Sequence, residues 1–452
     1  MPLATPGQYA AMLDAAADGG YAYAAINVTS SETFNAALRG FELANADGIV
    51  QISVGGAEYM SGTAAKDALL GARAFARYAH VVAEASPVLV ALHTDHCPPA
   101  HVDDWLYPLL DESGRRVALG ATPLFHSHMF DGSTLPLDEN LRIASDLLAR
   151  CSDLDVILEV ESGVVGGEED GIVGPANGRD ELYTTPSDLL RVADALGIGE
   201  RGRYLVAATF GNVHGTYAPG NVVLRPEILQ AGQQALAVAY PDARFQYVFH
   251  GSSGSSEREL ADAVSFGVVK VNVDTDNQYA FTRGVAGHVL DHWQGVLKVD
   301  GGIGDKRSFD PRAWGSAGEA TMAERVRQAC EQLGSAERSL ATSVSDPPRP
   351  GPLTDLDWPD RRWIPGARRR RLASPAGRRS GRRIGGPVDH PPALIATGYH
   401  RFAQRCCGTG ARAASLGAQA LKLRNAGSAL GGPAPDRLRT NTERHSHVPN
   451  RI

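Results

Sequence analysis

Lysine is scarce in this chain, with five among 452 residues. Only Lys66, Lys270, Lys298 and Lys306 precede residue 341, so chemistry needing a lysine amine has few candidates. Cysteine is as rare: Cys97, Cys151, Cys330, Cys406 and Cys407 are odd in number and lack any CxxC spacing. That excludes a disulfide framework and a zinc ribbon, and the five read as reduced thiols. No run approaches the ~18–20 apolar residues of a membrane span. Met1 to Ala10 has neither the basic nor the apolar region of an export signal. A cytoplasmic location without a membrane partner is therefore expected. Hydrophobic residues at 43% and charged residues at 21% exclude a wholly disordered chain.

What is present divides unevenly. Residues 341–452 carry 20 basic against 7 acidic side chains, a net +13, and 13 of the 27 prolines. Residues 1–340 carry 24 basic against 44 acidic, a net −20. The composition therefore places a boundary near Leu340, with a body at 1–340 and an Arg/Pro-rich extension at 341–452 expected to lack order.

The body alternates short β-rich runs with amphipathic stretches. Strands are expected at Tyr21–Val28, Ile49–Val54, Val88–His93, Ala121–Met129, Asp155–Glu161, Arg203–Phe210, Phe245–His250 and Val268–Asp274. Helical patterns such as Ser31–Ala46, Thr63–Ala85, Leu137–Cys151, Pro186–Leu196, Arg225–Ala239 and Ser256–Phe266 lie between them, and Asp310–Leu333 closes the body. Eight βα units over roughly 270 residues fit an α/β fold of the (β/α)8 TIM-barrel type. A doubly wound sheet is the alternative, because a strand count does not prove closure.

Polar and ionisable residues gather at the C-terminal ends of these strands, which in a barrel surround one mouth. His96, His214 and His250 are placed to converge on a zinc ion, with Glu161 or water as a fourth ligand. Asp95, beside His96, is placed to move a proton. His93, His126 and His128 read as supporting or packing residues. Val164-Val-Gly-Gly-Glu-Glu-Asp-Gly-Ile172 reads as an acidic segment with glycine hinges, able to carry a carboxylate to the mouth. His250-Gly-Ser-Ser-Gly-Ser-Ser-Glu257 runs from strand to helix and offers backbone N–H groups to an anion, with Asp274 and Thr275 on the same side. Lys270 shares strand parity with Asn272 and Asp274. A desolvated lysine there offers a Schiff base, but the histidine array favours a metal and leaves Lys270 a structural or charge-balancing role.

With those residues in place, the chain over roughly 5–340 resembles the class II, metal-dependent fructose-bisphosphate aldolases. The resemblance rests on His93-Thr-Asp-His96, Gly166-Gly-Glu-Glu-Asp-Gly171, Phe210-Gly-Asn-Val-His-Gly215, Phe249-His-Gly-Ser-Ser-Gly254, Val271-Asn-Val-Asp-Thr-Asp276 and Asp310-Pro-Arg312, in that order. It implies that His96, His214 and His250 are zinc ligands and that Asp95 handles the C4 hydroxyl proton. Glu169 would then exchange the proton on the dihydroxyacetone carbon. Glu161 and Asp131 match carboxylates near a second divalent position. Gly215, Gly251, Ser253, Asp274 and Thr275 match the ketose-side phosphate site and a monovalent cation (Na+ or K+). Asn27, Ser53, Lys306 and Arg312 match positions holding substrate hydroxyls or the other phosphate, with Arg312 placed to reach across a dimer interface. Asn272 matches an asparagine that orients a substrate hydroxyl or the enediolate. A homodimer or homotetramer acting on a sugar bisphosphate in glycolysis and gluconeogenesis follows from the same resemblance.

Two departures stand out. Ala218 occupies a position where the family commonly has lysine, and Ser252 one where glycine is frequent. Three rival readings remain at this level. The first is a tagatose-bisphosphate aldolase, which differs in stereochemistry at C4. The second is a barrel metallohydrolase using His126-Ser-His128 as a ligand pair. The third is a nucleic-acid-binding protein driven by the arginine-rich extension. Nucleic acid is not the expected partner, since the bias of 341–452 is what an out-of-frame or read-through extension of GC-rich coding sequence would give.

Overall fold

The computed structural model describes residues 3–163, 166–169, 172–173, 183–214 and 224–341, with the backbone alone at 166–169, 172–173 and 214. Its strands are β1 Tyr23–Asn27, β2 Gly48–Ser53, β3 Val90–Cys97, β4 Ser127–Phe130, β5 Ile157–Ser162, β6 Gly166–Glu169, β7 Ile172–Val173, β8 Tyr204–Ala208, β9 Val213–His214, β10 Tyr247–Phe249 and β11 Val268–Val273. Eight of them close a barrel in the order β1-β2-β3-β4-β5-β8-β10-β11, with β11 returning to β1 and every pairing parallel. The fold is thus a TIM barrel, and the doubly wound alternative is excluded by closure. The extension expected to be disordered lies, after Ala341, outside the described residues.

Local chemistry explains where the surrounding helices begin. Thr5, Ser30, Thr185 and Ser256 each cap a helix and receive a reciprocal side-chain contact from Gln8, Thr33, Asp188 and Glu259. Pro6, Pro186 and Pro311 occupy first helical positions, where a missing N–H costs nothing. Gly40 allows the helices Ser31–Ala44 and Pro311–Gln332 to meet, because a Cβ there would lie 2.5 Å from that of Val326.

The barrel interior has two distinct levels. Ala25, Ile49, Ala91, Ile157, Leu205, Ala207, Val248 and Val269 make an apolar lower level. The helix Pro6–Gly19, unforeseen in the sequence pattern, packs Tyr9, Met12, Leu13 and Ala16 against it. Burying each Leu- or Met-sized side chain contributes roughly 1.5–3 kcal/mol, so the helix is firmly held. Above this floor the inward positions turn polar: Gln51, His93, Asp95, Ser127, Glu159, Glu161, His250, Lys270 and Asn272 are all buried.

Most strand boundaries shift by one or two residues from expectation, and two shift further, of which the one at the end of β3 lies at the mouth. β4 begins at Ser127 rather than Ala121, because Thr122 and Leu124 are tied to the preceding helix by Arg116 and Ser113. β3 runs on past His93 to Cys97. A second sheet, also unforeseen, joins β7, β6 and β9 in that order, and pairs Gly166 with Val213 and Gly167 with His214.

Candidate active site

A strand's period of two should send Asp95 and His96 to opposite faces. They share a face because β3 carries an extra residue here. Thr94 pairs with His128 and Cys97 with Phe130, so three steps on β3 match two on β4. This is a β-bulge, the device by which sheets re-aim side chains beside sites. It places His96 at φ +41°, a left-handed conformation costing a non-glycine residue about 1–3 kcal/mol. β11 uses the same device. Its register against β10 steps from Tyr247–Val268 to Val248–Lys270, so Val269 of the apolar level and Lys270 of the polar level both face inward.

Asp95 is held by three amide donors. Its Oδ2 accepts from Asn27 Nδ2 and Gln51 Nε2, each at 2.8 Å, and its Oδ1 accepts from Asn272 Nδ2 at 3.1 Å. Gln51 also donates to Asn27 Oδ1 at 2.6 Å, which fixes both amides. A carboxylate so placed is an oriented proton acceptor at the barrel mouth.

His96 and His250 meet at 2.8 Å, Nε2 to Nδ1. His96 Nδ1 lies 3.0 Å from Asp131 Oδ2 and 3.7 Å from Glu161 Oε2. Burial works against ionisation of Asp131, but the hydrogen bond from His96, with two contacts from Ser133, holds its carboxyl well below the usual range. His250 Nε2 lies 2.8 Å from Glu159 Oε1. Burial likewise opposes ionisation of Glu159, and the charge of Lys270 with the hydrogen bond from His250 overcomes it. Each carboxylate therefore accepts an imidazole N–H, leaving lone pairs on His96 Nε2 and His250 Nδ1 that face one another. Two acceptors at that distance suit a shared cation, so the donor set fits a divalent metal. Burial, partly offset by Glu159, holds His250 below its ordinary value, which favours the neutral, ligating form. The side chain of His214 lies outside the described residues. Its strand is anchored by Asn212, which accepts from Phe210 N–H and donates to the His250 carbonyl.

His126 and His128 do not belong to this site. Their parity on β4 is opposite to that of Ser127, which faces inward to His93 Nδ1 at 2.8 Å. His126 Nδ1 accepts from Leu92 N–H, and its Nε2 donates to the Ala4 carbonyl. His128 Nδ1 bonds Thr94 Oγ1 at 2.7 Å. With both nitrogens of His126 committed to backbone, the metallohydrolase reading fails.

The remaining expected residues divide. Ser53 caps the helix Val54–Met60 through Gly56 N–H. Gly251, at φ +62°, and Ser253 follow β10, and Asp274 and Thr275 open the helix Thr275–Asp291 after β11, where Asp274 accepts from Gln278. Ser252, the departure from glycine, donates to the Asn272 carbonyl at 2.7 Å and so braces the strand that orients Asp95. Lys306 is exposed, and Arg312, 87% exposed, forms a bidentate pair with Asp310. No described contact brings either of them to the mouth. Glu169 lies on β6, with only its backbone described; Gly215 and Ala218 lie outside the described residues. Sequence reasoning passed over Gln51 and, while noting Glu159 near a strand end, gave it no role. Their signal was parity, since they stand two residues before Ser53 and Glu161 on the same inward faces.

Eight parallel strands with a histidine–carboxylate cluster at their C-terminal mouth define a barrel enzyme with a metal-type site. Residues 7–338 match the family model described as fructose-bisphosphate aldolase class-II. The chain is 55% identical to a fructose-bisphosphate aldolase of Mycobacterium leprae over 347 residues, 76% of this chain and all of that protein. It is 56% identical to one of Streptomyces galbus over 341 residues, 75% of this chain and all of that protein. A crystal structure of fructose-bisphosphate aldolase from Campylobacter jejuni superposes with a TM-score of 0.66 at 34% identity, covering 75% of this chain and 97% of that one. The chain belongs to the class II fructose-bisphosphate aldolase family and is an aldolase, a lyase. The family is metal-dependent, in keeping with the clusters Asp95–His96–His250 and His96–Asp131–Glu161. Among the described residues no helix is long and apolar enough to cross a membrane.

Proposed function

We propose that the body, residues 1–340, cleaves D-fructose 1,6-bisphosphate reversibly to dihydroxyacetone phosphate and D-glyceraldehyde 3-phosphate, with zinc as its catalytic ion. The observation that carries this reading is the 2.8 Å approach of His96 Nε2 and His250 Nδ1 beside the triply held Asp95. His96, His214 and His250 would hold the ion. Asp131 and Glu161 would offer a second divalent position. The segment from Gly215 and Gly251 to Thr275 would hold one phosphate and a monovalent cation.

When bound, a divalent cation polarises the ketone and stabilises the charge that C3–C4 cleavage develops. Asp95 takes the C4 hydroxyl proton as that bond breaks, and its amide cradle keeps the accepting oxygen fixed. Asn272 sits between Asp95 and Lys270 and orients the substrate hydroxyl. Glu169 delivers a proton to the carbon of the dihydroxyacetone fragment. Asn27 and Ser53 lie at the ends of β1 and β2, where substrate hydroxyls would rest. Lys306 and Arg312 would bind the second phosphate.

A role in glycolysis and gluconeogenesis, in the cytoplasm, belongs to this reading. Exposed Leu290, Trp293, Leu297 and Ile303, clustered in sequence, support assembly into a homodimer or homotetramer. Residues 341–452 stand outside the catalytic unit, in keeping with relatives matched along their whole length by about three quarters of this chain.

The test is cleavage of fructose 1,6-bisphosphate by the full-length protein as purified, after chelation and after zinc is restored. Loss and recovery support the reading. Activity that survives complete metal removal overturns the zinc mechanism. Preference for the C4 epimer would reassign the enzyme as a tagatose-bisphosphate aldolase.

A further inference from the structure

Lys270 is the fully buried lysine at the centre of the polar level, and nothing in the chemistry above uses its amine. Its Nζ reaches Glu159 Oε2 at 2.9 Å and Oε1 at 3.2 Å, and Asn272 Oδ1 at 2.8 Å. Each partner contacts a different half of the active site. Glu159 Oε1 accepts from His250 Nε2 at 2.8 Å, and Asn272 Nδ2 donates to Asp95 Oδ1 at 3.1 Å.

We propose that Lys270 is a positioning residue that sets two orientations at once: which nitrogen His250 offers to the metal, and which end of the Asn272 amide meets Asp95. The physical argument is one of polarity. An ammonium only donates, so the Asn272 oxygen must face it and the amide nitrogen must face Asp95. Without that cation the amide is free to turn and set its oxygen against the carboxylate. On the other arm, the ammonium donates to both Glu159 oxygens, at 2.9 and 3.2 Å, and so fixes the carboxylate in the dry interior. Glu159 then accepts from His250 Nε2, which turns Nδ1 toward His96 Nε2 and makes it the nitrogen that would ligate. Besides Lys270 and His250, His93 also faces this carboxylate, its Nε2 3.5 Å from Glu159 Oε2, and it adds no fixed charge when neutral. Burial and Lys270 hold His93 well below its ordinary value, against the pull of Glu159. The bulge in β11 supports the assignment, since a regular strand carrying Val269 inward would turn Lys270 outward.

The inference rests on the roles proposed above for His250 and Asp95. Undiminished zinc binding by a His250→Ala variant would overturn those roles separately, without any measurement on Lys270. The experiment itself compares full-length wild type, Lys270→Met and Glu159→Gln. Zinc affinity is measured by competition with a chromogenic chelator, and kcat and KM are measured at saturating zinc. Cobalt-substituted protein gives a visible spectrum that reads ligand geometry without turnover. Lys270→Met should bind zinc roughly 10- to 100-fold more weakly, with an altered cobalt spectrum. At saturating zinc its kcat should stay at least about tenfold low while KM moves little, the pattern of a lost transition-state interaction. Glu159→Gln should lose zinc affinity but regain most of its kcat once zinc saturates, because its Asp95 arm is intact. Lys270→Met with wild-type zinc affinity, or with kcat restored by zinc alone, would overturn the proposal. If that variant does not fold, Lys270→Gln keeps a donor without the charge; it should weaken zinc binding in the same range, and unchanged affinity there is equally fatal.

Discussion

Asp95 and His96 are consecutive in the chain, yet both turn to the barrel mouth, and the left-handed backbone at His96 makes this possible. One residue can then hold a metal while its neighbour moves a proton, with no flexible linker between them. The arrangement ties catalysis to local strain.

That strain is measurable. His96→Ala and His96→Gly both remove the ligand and should bind zinc equally poorly. Only alanine retains the penalty of positive φ, so His96→Gly should be the more stable of the two by about 1 kcal/mol. Urea unfolding of the two metal-free proteins checks this, and equal midpoints would mean that the bulge relaxes once the ligand is gone.

The amide cradle of Asp95 predicts a graded series. Asp95→Ala should lower kcat by roughly 10²–10⁴, the usual range for a positioned acid–base group, while still retaining zinc. Gln51→Leu removes one donor to the carboxylate and should cost roughly 10- to 100-fold, as expected for a hydrogen bond to a charged group. Steady-state kinetics with parallel zinc analysis separate these effects from metal loss. A Gln51→Leu enzyme at full rate would show that the remaining donors suffice.

His126 should prove structural. Replacing it with alanine leaves the Leu92 N–H and the Ala4 carbonyl buried without partners, at roughly 1–3 kcal/mol each. Zinc content per folded chain should stay at the wild-type level. A drop in stoichiometry would revive the histidine-pair metal site that the structure disfavours.

Acid sensitivity follows from two buried imidazoles, His126 and His128, and a half-buried one, His80. Burial lowers His80 to about 3, His126 to about 4 and His128 to about 3, each from 6.5. Each is neutral when folded and takes up a proton on unfolding below pH 6.5, so the unfolded state binds more protons there. Stability is therefore fully present above pH 6.5 and falls with decreasing pH towards the folded values, by roughly 1.4 kcal/mol per unit for each histidine. Denaturation curves between pH 7 and pH 5 should show this slope, reduced by about one proton in His126→Gln. A flat profile over that interval would contradict the burial of these rings.

Much of this was legible beforehand, and the reasons are physical. Strand parity put Lys270 and Asn272 on one face, and the inner face holds both, because the barrel buries both faces of its strands and leaves little freedom of register. The bulges were not legible, because an inserted residue changes the register without changing composition. They are also what brings His96 in beside Asp95. Gln51 and Glu159 were left without a role for a related reason: they sit one layer below the strand ends, where a buried polar residue has meaning only once its partners are known. The helix Pro6–Gly19 has too weak an amphipathic pattern to announce itself, since it packs against the end of the barrel and not its side.

That helix has a consequence for exchange with solvent. With Tyr9, Met12 and Leu13 packed across one end, the open approach to Glu159, Lys270 and His93 among the described residues is from the mouth, where substrate would arrive. A bound sugar would therefore slow the exchange of these interior charges with the surroundings. For the lifetime of the complex, the protonation pattern inside would tend to stay as it was at the moment of binding.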